Sequence, residues 1–167
     1  PHVLVVVDEA YFEYASYGET GADGYPDTVR WVERYPNLIV SRTFSKCYGL
    51  AGLRVGYSVS HPGVADLLNR VRPPFNVNSI AVAAAAAALG DDEHLEATLR
   101  TNAQGLRQLY SAFEQMGLDY IPSVGNFVSV DVGGPAAPVY EGLLREGVIV
   151  RPVANYGMPN HLRVTVS

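Results

Sequence analysis

Two runs of apolar, mostly β-branched residues constrain the fold of this chain more than any other feature. They are VLVVV at 3–7 and LIV at 38–40, the latter within the predicted strand NLIVS at 37–41. An unbroken run of this kind is typical of a parallel strand buried on both faces, because a strand with one exposed face alternates apolar and polar residues. Each run changes abruptly to polar residues, DEAYFEY after the first and SRTFSK after the second. The sequence therefore predicts an α/β fold whose first part holds a mostly parallel sheet.

The rest of the chain predicts a second, smaller part. LRVGYSVS (53–60) is expected to form a third strand, and PGVADLLNRVR (62–72) a helix that the following prolines end. Helices are also expected at 27–34, 78–90, 91–117 and 136–146, and strands at 126–132, 147–151 and 161–166. We therefore divide the chain into an α/β part at 1–76, a connecting helix at 77–91 and a small α+β domain at 92–167.

Composition excludes several classes of protein. The net charge of −5 argues against a surface for nucleic acid or an acidic membrane. The longest apolar run, at 80–89, is too short to cross a bilayer. A single cysteine fits a reducing, cytoplasmic setting, and the four histidines lack the spacing of metal ligands. Because the sequence opens and closes on apolar strands, we expect it to be a piece of a longer protein.

The polar residues after the two apolar runs are expected to share one edge of the sheet. In open parallel sheets, ligands bind at the carboxyl ends of the strands. The first run delivers Asp8 to Tyr11 to that edge, and the second delivers Ser41 to Lys46. Arg54 can reach the same edge through the turn at Gly49–Gly52, whose glycines permit close approach of the backbone. This edge is the candidate site.

Lys46 is the only lysine, and the other eleven of the 12 basic residues are arginine. A lysine amine can lose its proton and form a Schiff base with a carbonyl group, whereas arginine keeps a pKa above ~12. A buried carboxylate such as Asp8 could hold a protonated ring nitrogen, while Thr43, Ser45 and Arg54 offer phosphate donors. These groups match the needs of pyridoxal phosphate. The simpler interpretation, a solvated surface lysine, is disfavoured by the surrounding residues.

Several of these segments also resemble a known family. DEAYFEY, SRTFSKCYGLAGLRVGY, RPPFNVNS and the closing LRVTVS are similar to the fold-type I aminotransferases, most of all to the histidinol-phosphate aminotransferase branch. The resemblance spans essentially the whole chain. It implies that residues 1–76 are the C-terminal part of the large cofactor-binding domain and that 92–167 form the small domain.

The resemblance implies a role for each matched residue. Lys46 would hold pyridoxal phosphate covalently and move a proton, and Asp8 would pair with the ring nitrogen. Tyr11 would donate a hydrogen bond to the ring's phenolic oxygen, and Ala10 would lie against the ring face. Thr43, Ser45 and Arg54 would bind the cofactor phosphate; Arg163, Arg151 and Asn126 would bind the substrate. No metal is implied.

The implied reaction moves an amino group from L-histidinol phosphate to 2-oxoglutarate, in a cytoplasmic homodimer. An aromatic amino-acid aminotransferase or a threonine-phosphate decarboxylase would use nearly the same cofactor residues. An inactive fragment or a non-catalytic paralogue is the alternative of another class. Since the family carries further site residues upstream, we expect weak or no activity from these 167 residues alone. The segment 12–36 looks longer than is usual in the family, and no role is assigned to it.

Overall fold

The computed structural model describes residues 2–17 and 24–166. The chain divides into two compact units, Pro1–Leu99 and Arg100–Ser167, with the boundary inside one long helix. Residues 18–23, within the unassigned segment 12–36, lie outside the described residues. The division into domains at residues 76 and 92 stays a prediction, because compactness alone does not define a domain.

In its described residues, the first unit forms a three-stranded sheet. Strands β1 (Val5–Asp8), β2 (Leu38–Thr43) and β3 (Gly56–Ser60) lie in that order. β1 runs parallel to β2, as the two apolar runs predict. β3 is antiparallel to β2 and so differs from the expected parallel arrangement. The reason is that the loop between them continues the ladder, with the Phe44 amide donating to the Val55 carbonyl at 3.2 Å, and makes a turn instead of a crossover.

The first strand is exposed, contrary to the prediction of a strand buried on both faces. Val5 and Val6 are 46% and 62% exposed, whereas Val40 of β2 is 1% exposed. Position explains the difference, because β1 is an edge strand that pairs with β2, while β2 has a neighbour on each side. Within the described ranges, the prediction of burial is wrong for β1, and for β2 it is right on the face of Leu38 and Val40, while Ile39 on the other face is half-buried.

At some helix starts, a side chain caps a free backbone amide. His61 Nδ1 accepts from the Gly63 amide at 3.2 Å, and Asn78 Oδ1 accepts from the Ala81 amide at 2.8 Å. The helices are α1 (Phe12–Ala15), α2 (Pro62–Val71), α3 (Ser79–Ala88), α4 (Asp92–Met116) and α5 (Ala136–Arg145), with 3₁₀ turns at Thr28–Trp31, Ala51–Leu53 and Ala154–Tyr156. The helix expected at 27–34 is thus a short 3₁₀ turn. No helix in the described part of the chain has the length and apolar character to span a membrane.

The second unit is built on an antiparallel sheet. Its strands, β4 (Tyr120–Ile121), β5 (Phe127–Asp131), β6 (Arg151–Pro152) and β7 (His161–Thr165), lie in the order β4-β5-β7-β6. Val128, Val130 and Leu162 are buried with Leu106 and Phe113 of α4 in one core. Because side chains alternate along a strand, the residues between them face the other side of the sheet. The strand predicted at 147–151 is wrong except for its last residue, because β6 begins at Arg151, and β4 was not predicted.

A buried ion pair fastens the chain leaving β1 to β2. The Glu9 side chain, in a residue only 2% exposed, accepts from Arg42 Nε at 2.9 Å and from Thr28 Oγ1 at 2.7 Å. Arg42 Nη2 also pairs with Asp27 Oδ1 at 2.8 Å, and its guanidinium lies 3.4 Å from the centre of the Phe12 ring. Burial would raise the pKa of Asp27, but hydrogen bonding to Arg42 and its positive charge outweigh it and lower that pKa.

Replacing Glu9 with Gln should lower the free energy of unfolding by about 3 kcal/mol, because Arg42 then loses its fully buried counter-charge. Urea unfolding measures the change. The matched control is Glu33→Gln, which removes an exposed carboxylate of the same unit and should change the value by less than ~0.5 kcal/mol. Equal unfolding free energies for wild type and Glu9→Gln would contradict the role given to the ion pair.

Two helical glycines of the second unit should respond in opposite directions to alanine. A Cβ on Gly105 of α4 would collide with the Val166 methyl groups, whereas a Cβ on Gly142 of α5 meets nothing within 4 Å. Gly105→Ala should lower the free energy of unfolding by about 1–3 kcal/mol, since a β-branched valine rotates little. Gly142→Ala should raise it by ~0.5–1 kcal/mol. Thermal unfolding tests both, and a stabilised Gly105→Ala variant would be inconsistent with this packing.

Candidate functional site

The segment that carries Lys46 is held by a buried residue on each side. Phe44 is 4% exposed and packs with Val55 and Ala81, while Cys47 is 1% exposed and packs with Tyr14. Between these two anchors, Ser45 and Lys46 are only half-buried. The sequence F-S-K-C therefore fixes both ends of a short loop in apolar cores and leaves its two polar side chains at the surface.

Lys46 meets the segment that follows β1, as the parallel pairing predicts. Its Nζ lies 5.2 Å from the centre of the Tyr11 ring, within the range of a cation–π contact. Tyr11 and Ala10 are both half-buried in the turn between β1 and α1. The structure thus brings the predicted amine and the predicted phenol together, although their residues are far apart in sequence.

Asp8 lies at the same edge but is exposed, so the expectation of a buried carboxylate is wrong in this structure. Its Oδ1 accepts from the Ala10 amide at 3.1 Å and from Ser41 Oγ at 3.5 Å. Asp8 is opposite Ser41 in the β1–β2 register, which gives it that second donor. The exposure follows from the position of β1 at the edge of the sheet. The carboxylate is oriented by two donors and is otherwise open to a ligand.

The three predicted phosphate donors lie at the end of β2 and in the loop that joins it to β3. Thr43 Oγ1 accepts from the Ser45 amide at 3.1 Å, and Arg54 Nη1 donates to Ser45 Oγ at 3.3 Å and to the Ala51 carbonyl at 2.8 Å. Arg54 is exposed and has a φ of 53°, a left-handed conformation that costs a non-glycine residue roughly 1 kcal/mol or more. Strain of this kind clusters at functional sites, and the guanidinium of Arg54 contacts Ser45.

The thiol next to Lys46 does not compete as a nucleophile. Burial, followed by the nearby negative charge of Glu13, raises the pKa of Cys47 to about 12, despite a hydrogen bond with Tyr14 that lowers it. A thiol with such a pKa stays protonated at neutral pH and is unreactive. The buried thiol therefore does not compete with Lys46, whose role as the nucleophile stays a prediction.

The predicted substrate residues belong to the second unit. Arg163 of β7 is directly opposite Arg151 of β6, and its guanidinium lies 4.9 Å from the centre of the Phe127 ring. Arg163 is half-buried and Arg151 is exposed. Asn126 precedes β5 and is half-buried, with its carbonyl accepting from the Val166 amide at 2.8 Å. The two arginines are neighbours, and the roles of all three residues toward a substrate stay predictions.

Sequence analysis did not identify the Arg42 network, which holds the candidate site in shape. The available signal was an arginine inside a strand that otherwise reads as buried, LIVSRT. A buried charge of this kind requires an acidic partner. Its partners Glu9 and Asp27 are distant in sequence, so only the fold identifies them.

Comparison with known proteins gives consistent matches along the entire chain. The family model described as aminotransferase class I and II matches residues 1–167. Histidinol-phosphate aminotransferase 1 of Nitrosococcus oceani is 61% identical over 165 residues, which are 99% of this chain and 43% of that protein. Histidinol-phosphate aminotransferase 2 of Pseudomonas fluorescens is 64% identical over 165 residues, which are again 99% of this chain and 43% of that protein. The chain therefore spans less than half the length of these relatives.

Solved structures give the same result. The crystal structure of histidinol-phosphate aminotransferase from Sinorhizobium meliloti in complex with pyridoxal-5'-phosphate superposes with a TM-score of 0.85 at 34% identity. The match covers 98% of this chain and 44% of that chain. It confirms the predicted α/β fold class of the fold-type I aminotransferases. The chain belongs to the class I and II aminotransferase family.

Proposed function

We propose that this chain acts as part of a longer protein that transfers the amino group of L-histidinol phosphate to 2-oxoglutarate, with pyridoxal phosphate as its cofactor. The observation that carries the proposal is the position of Lys46, whose amine lies beside Tyr11 in a loop held by two buried residues. The relatives named histidinol-phosphate aminotransferase, 61% and 64% identical to this chain, support the choice of substrate.

The groups at the edge of the first sheet fit pyridoxal phosphate. The exposed Asp8 carboxylate is free to meet a ring nitrogen, and the hydroxyl and guanidinium of Ser45 and Arg54 suit a phosphate. Thr43, Ala10 and Tyr11 complete the proposed cofactor set. When bound, the cofactor supplies an electron sink and carries the amino group. Lys46 would anchor it through Nζ and then move the proton of the substrate Cα.

The proposed substrate residues are cationic or amide side chains. Arg163 would bind the anionic end of the substrate, assisted by Arg151, and Asn126 would line the same pocket. The exposed apolar strand β1 supports a requirement for further chain, which would cover it. On the resemblance alone, we also propose that the longer protein is a cytoplasmic homodimer. We propose that it binds neither nucleic acid nor a membrane.

Lys46→Ala should abolish the visible absorption of the bound cofactor and lower the transamination rate by about 10²–10⁴-fold, because the anchor and proton carrier are one amine. Spectra and single-turnover rates of the longer protein measure both effects. The control Arg70→Ala removes an exposed cation on α2 and should change neither. A Lys46→Ala variant that matches an active wild type in both readouts would exclude Lys46 as the anchor, whereas a wild type without either signal would favour a non-catalytic protein.

L-histidinol phosphate should react faster than L-phenylalanine in the half-reaction of the longer protein, because its phosphate offers the arginine pair more negative charge and more acceptor oxygens than the carboxylate of phenylalanine does. We expect a ratio of roughly 10²-fold in kcat/KM, the value of one strong charge-assisted contact. Stopped-flow spectroscopy of the amino-donor half-reaction gives the ratio directly. Comparable values for the two donors would instead favour an aromatic amino-acid aminotransferase.

A further inference from the structure

The sheet of the second unit has one apolar and one polar face. Val128 and Leu162 are 0% and 2% exposed and belong to the apolar core. Ser129 and Arg163, the next residues along β5 and β7, are directly opposite each other in the ladder. Side chains of directly paired residues point to the same side of a sheet. Ser129 and Arg163 are therefore neighbours on the polar face.

Three polar atoms on this face are buried without a hydrogen-bond partner among the described residues: Ser129 Oγ, Arg163 Nε and His161 Nδ1. Ser129 is 7% exposed, and its Oγ finds no hydrogen-bond partner among residues 2–17 and 24–166. The Nε of Arg163 is buried and, within the same ranges, also lacks one. Nearly all buried polar groups of folded proteins are hydrogen-bonded, so an exception requires an explanation. Of these residues, Ser129 and Arg163 are directly paired across β5 and β7, which indicates a common partner for the two.

Ser129, Arg163 and Arg151 form a row of side chains across the three strands, and their chemistry defines that partner. Ser129 pairs with Arg163 across β5 and β7, and Arg163 pairs with Arg151 across β7 and β6. A guanidinium donates hydrogen bonds and cannot accept one, and a hydroxyl can donate as well. A ligand facing this row must therefore be an acceptor, and the two positive charges favour an anion. The Arg163 guanidinium also lies against the Phe127 ring, which limits its orientation.

We infer that Ser129 is a third anion-binding residue, whose hydroxyl donates to the same substrate oxyanion as Arg163 Nε. The inference rests on the proposed function, which gives Arg163 and Arg151 the anionic end of the substrate. It adds a buried, neutral donor that the sequence resemblance did not identify. A hydroxyl at this position increases affinity for the oxyanion without adding charge to the unit.

The test is the dissociation constant of the cofactor-loaded longer protein for inorganic phosphate, measured by isothermal titration calorimetry. Ser129→Ala should weaken phosphate binding by about tenfold, the effect of one hydrogen bond to a charged acceptor. Ser129→Thr keeps the hydroxyl and should bind within about threefold of wild type, which is the scatter of such contributions. L-histidinol, which has no phosphate, should bind equally to all three proteins. Unchanged phosphate affinity in Ser129→Ala would overturn the inference.

Two further ligands identify the source of the oxyanion. If L-histidinol phosphate binds more weakly to Ser129→Ala while 2-oxoglutarate does not, the hydroxyl contacts the substrate phosphate. If 2-oxoglutarate also binds more weakly, it contacts a carboxylate as well. Either result supports Ser129 as an anion-binding residue, and no change for both ligands counts against it.

Controls separate this inference from folding defects and from the proposed function. Thr165→Val deletes an exposed hydroxyl on the same sheet, opposite Phe127, and should leave every affinity unchanged. If Ser129→Ala does not fold, Ser129→Cys, whose thiol is a weaker donor of similar size, replaces it and must also weaken phosphate binding. A wild type that binds phosphate through Ser129 but does not transaminate L-histidinol phosphate would refute the proposed function alone.

Discussion

The position of Lys46 depends on the two buried side chains that flank it. Phe44 and Cys47 enter separate apolar clusters of the first unit, so neither end of the loop can shift without exposing apolar surface to water. The side chains of Ser45 and Lys46 are therefore restricted in orientation, and the lysine amine reaches the ring of Tyr11. A long, flexible side chain thus acquires a defined location from the packing of its neighbours.

The same edge of the sheet gains its remaining groups from the pairing of β1 with β2. Parallel pairing puts both carboxyl ends side by side, and the register sets Asp8 opposite Ser41. The buried pair of Glu9 and Arg42 then fastens the turn after β1 to the carboxyl end of the neighbouring strand. Asp8 and Glu9 are adjacent in sequence yet have different roles: one carboxylate stays open to a ligand, and the other stabilises the fold.

Much of this arrangement could be predicted from the sequence, for physical reasons. Unbroken apolar runs predict neighbouring parallel strands, and polar residues after such strands predict a site at their ends. The exposure of β1 could not be predicted, because a run of valines does not reveal whether a second strand lies beside it. Arg42 pairs with Glu9 and Asp27, which are distant in the sequence, and no local sequence pattern predicts these contacts. The alternation of β5 assigns Ser129 to the polar face, but only coordinates show its unpartnered hydroxyl.

The most direct test of Lys46 as the anchor is to locate the cofactor chemically. The longer protein is mixed with pyridoxal phosphate, reduced with borohydride to fix the cofactor on its amine, digested and analysed by mass spectrometry. We expect one modified peptide, which contains Phe44, Lys46 and Cys47 and carries the cofactor on the lysine. A cofactor fixed on another amine, with Lys46 unmodified, would contradict the central claim that this loop presents the reactive group.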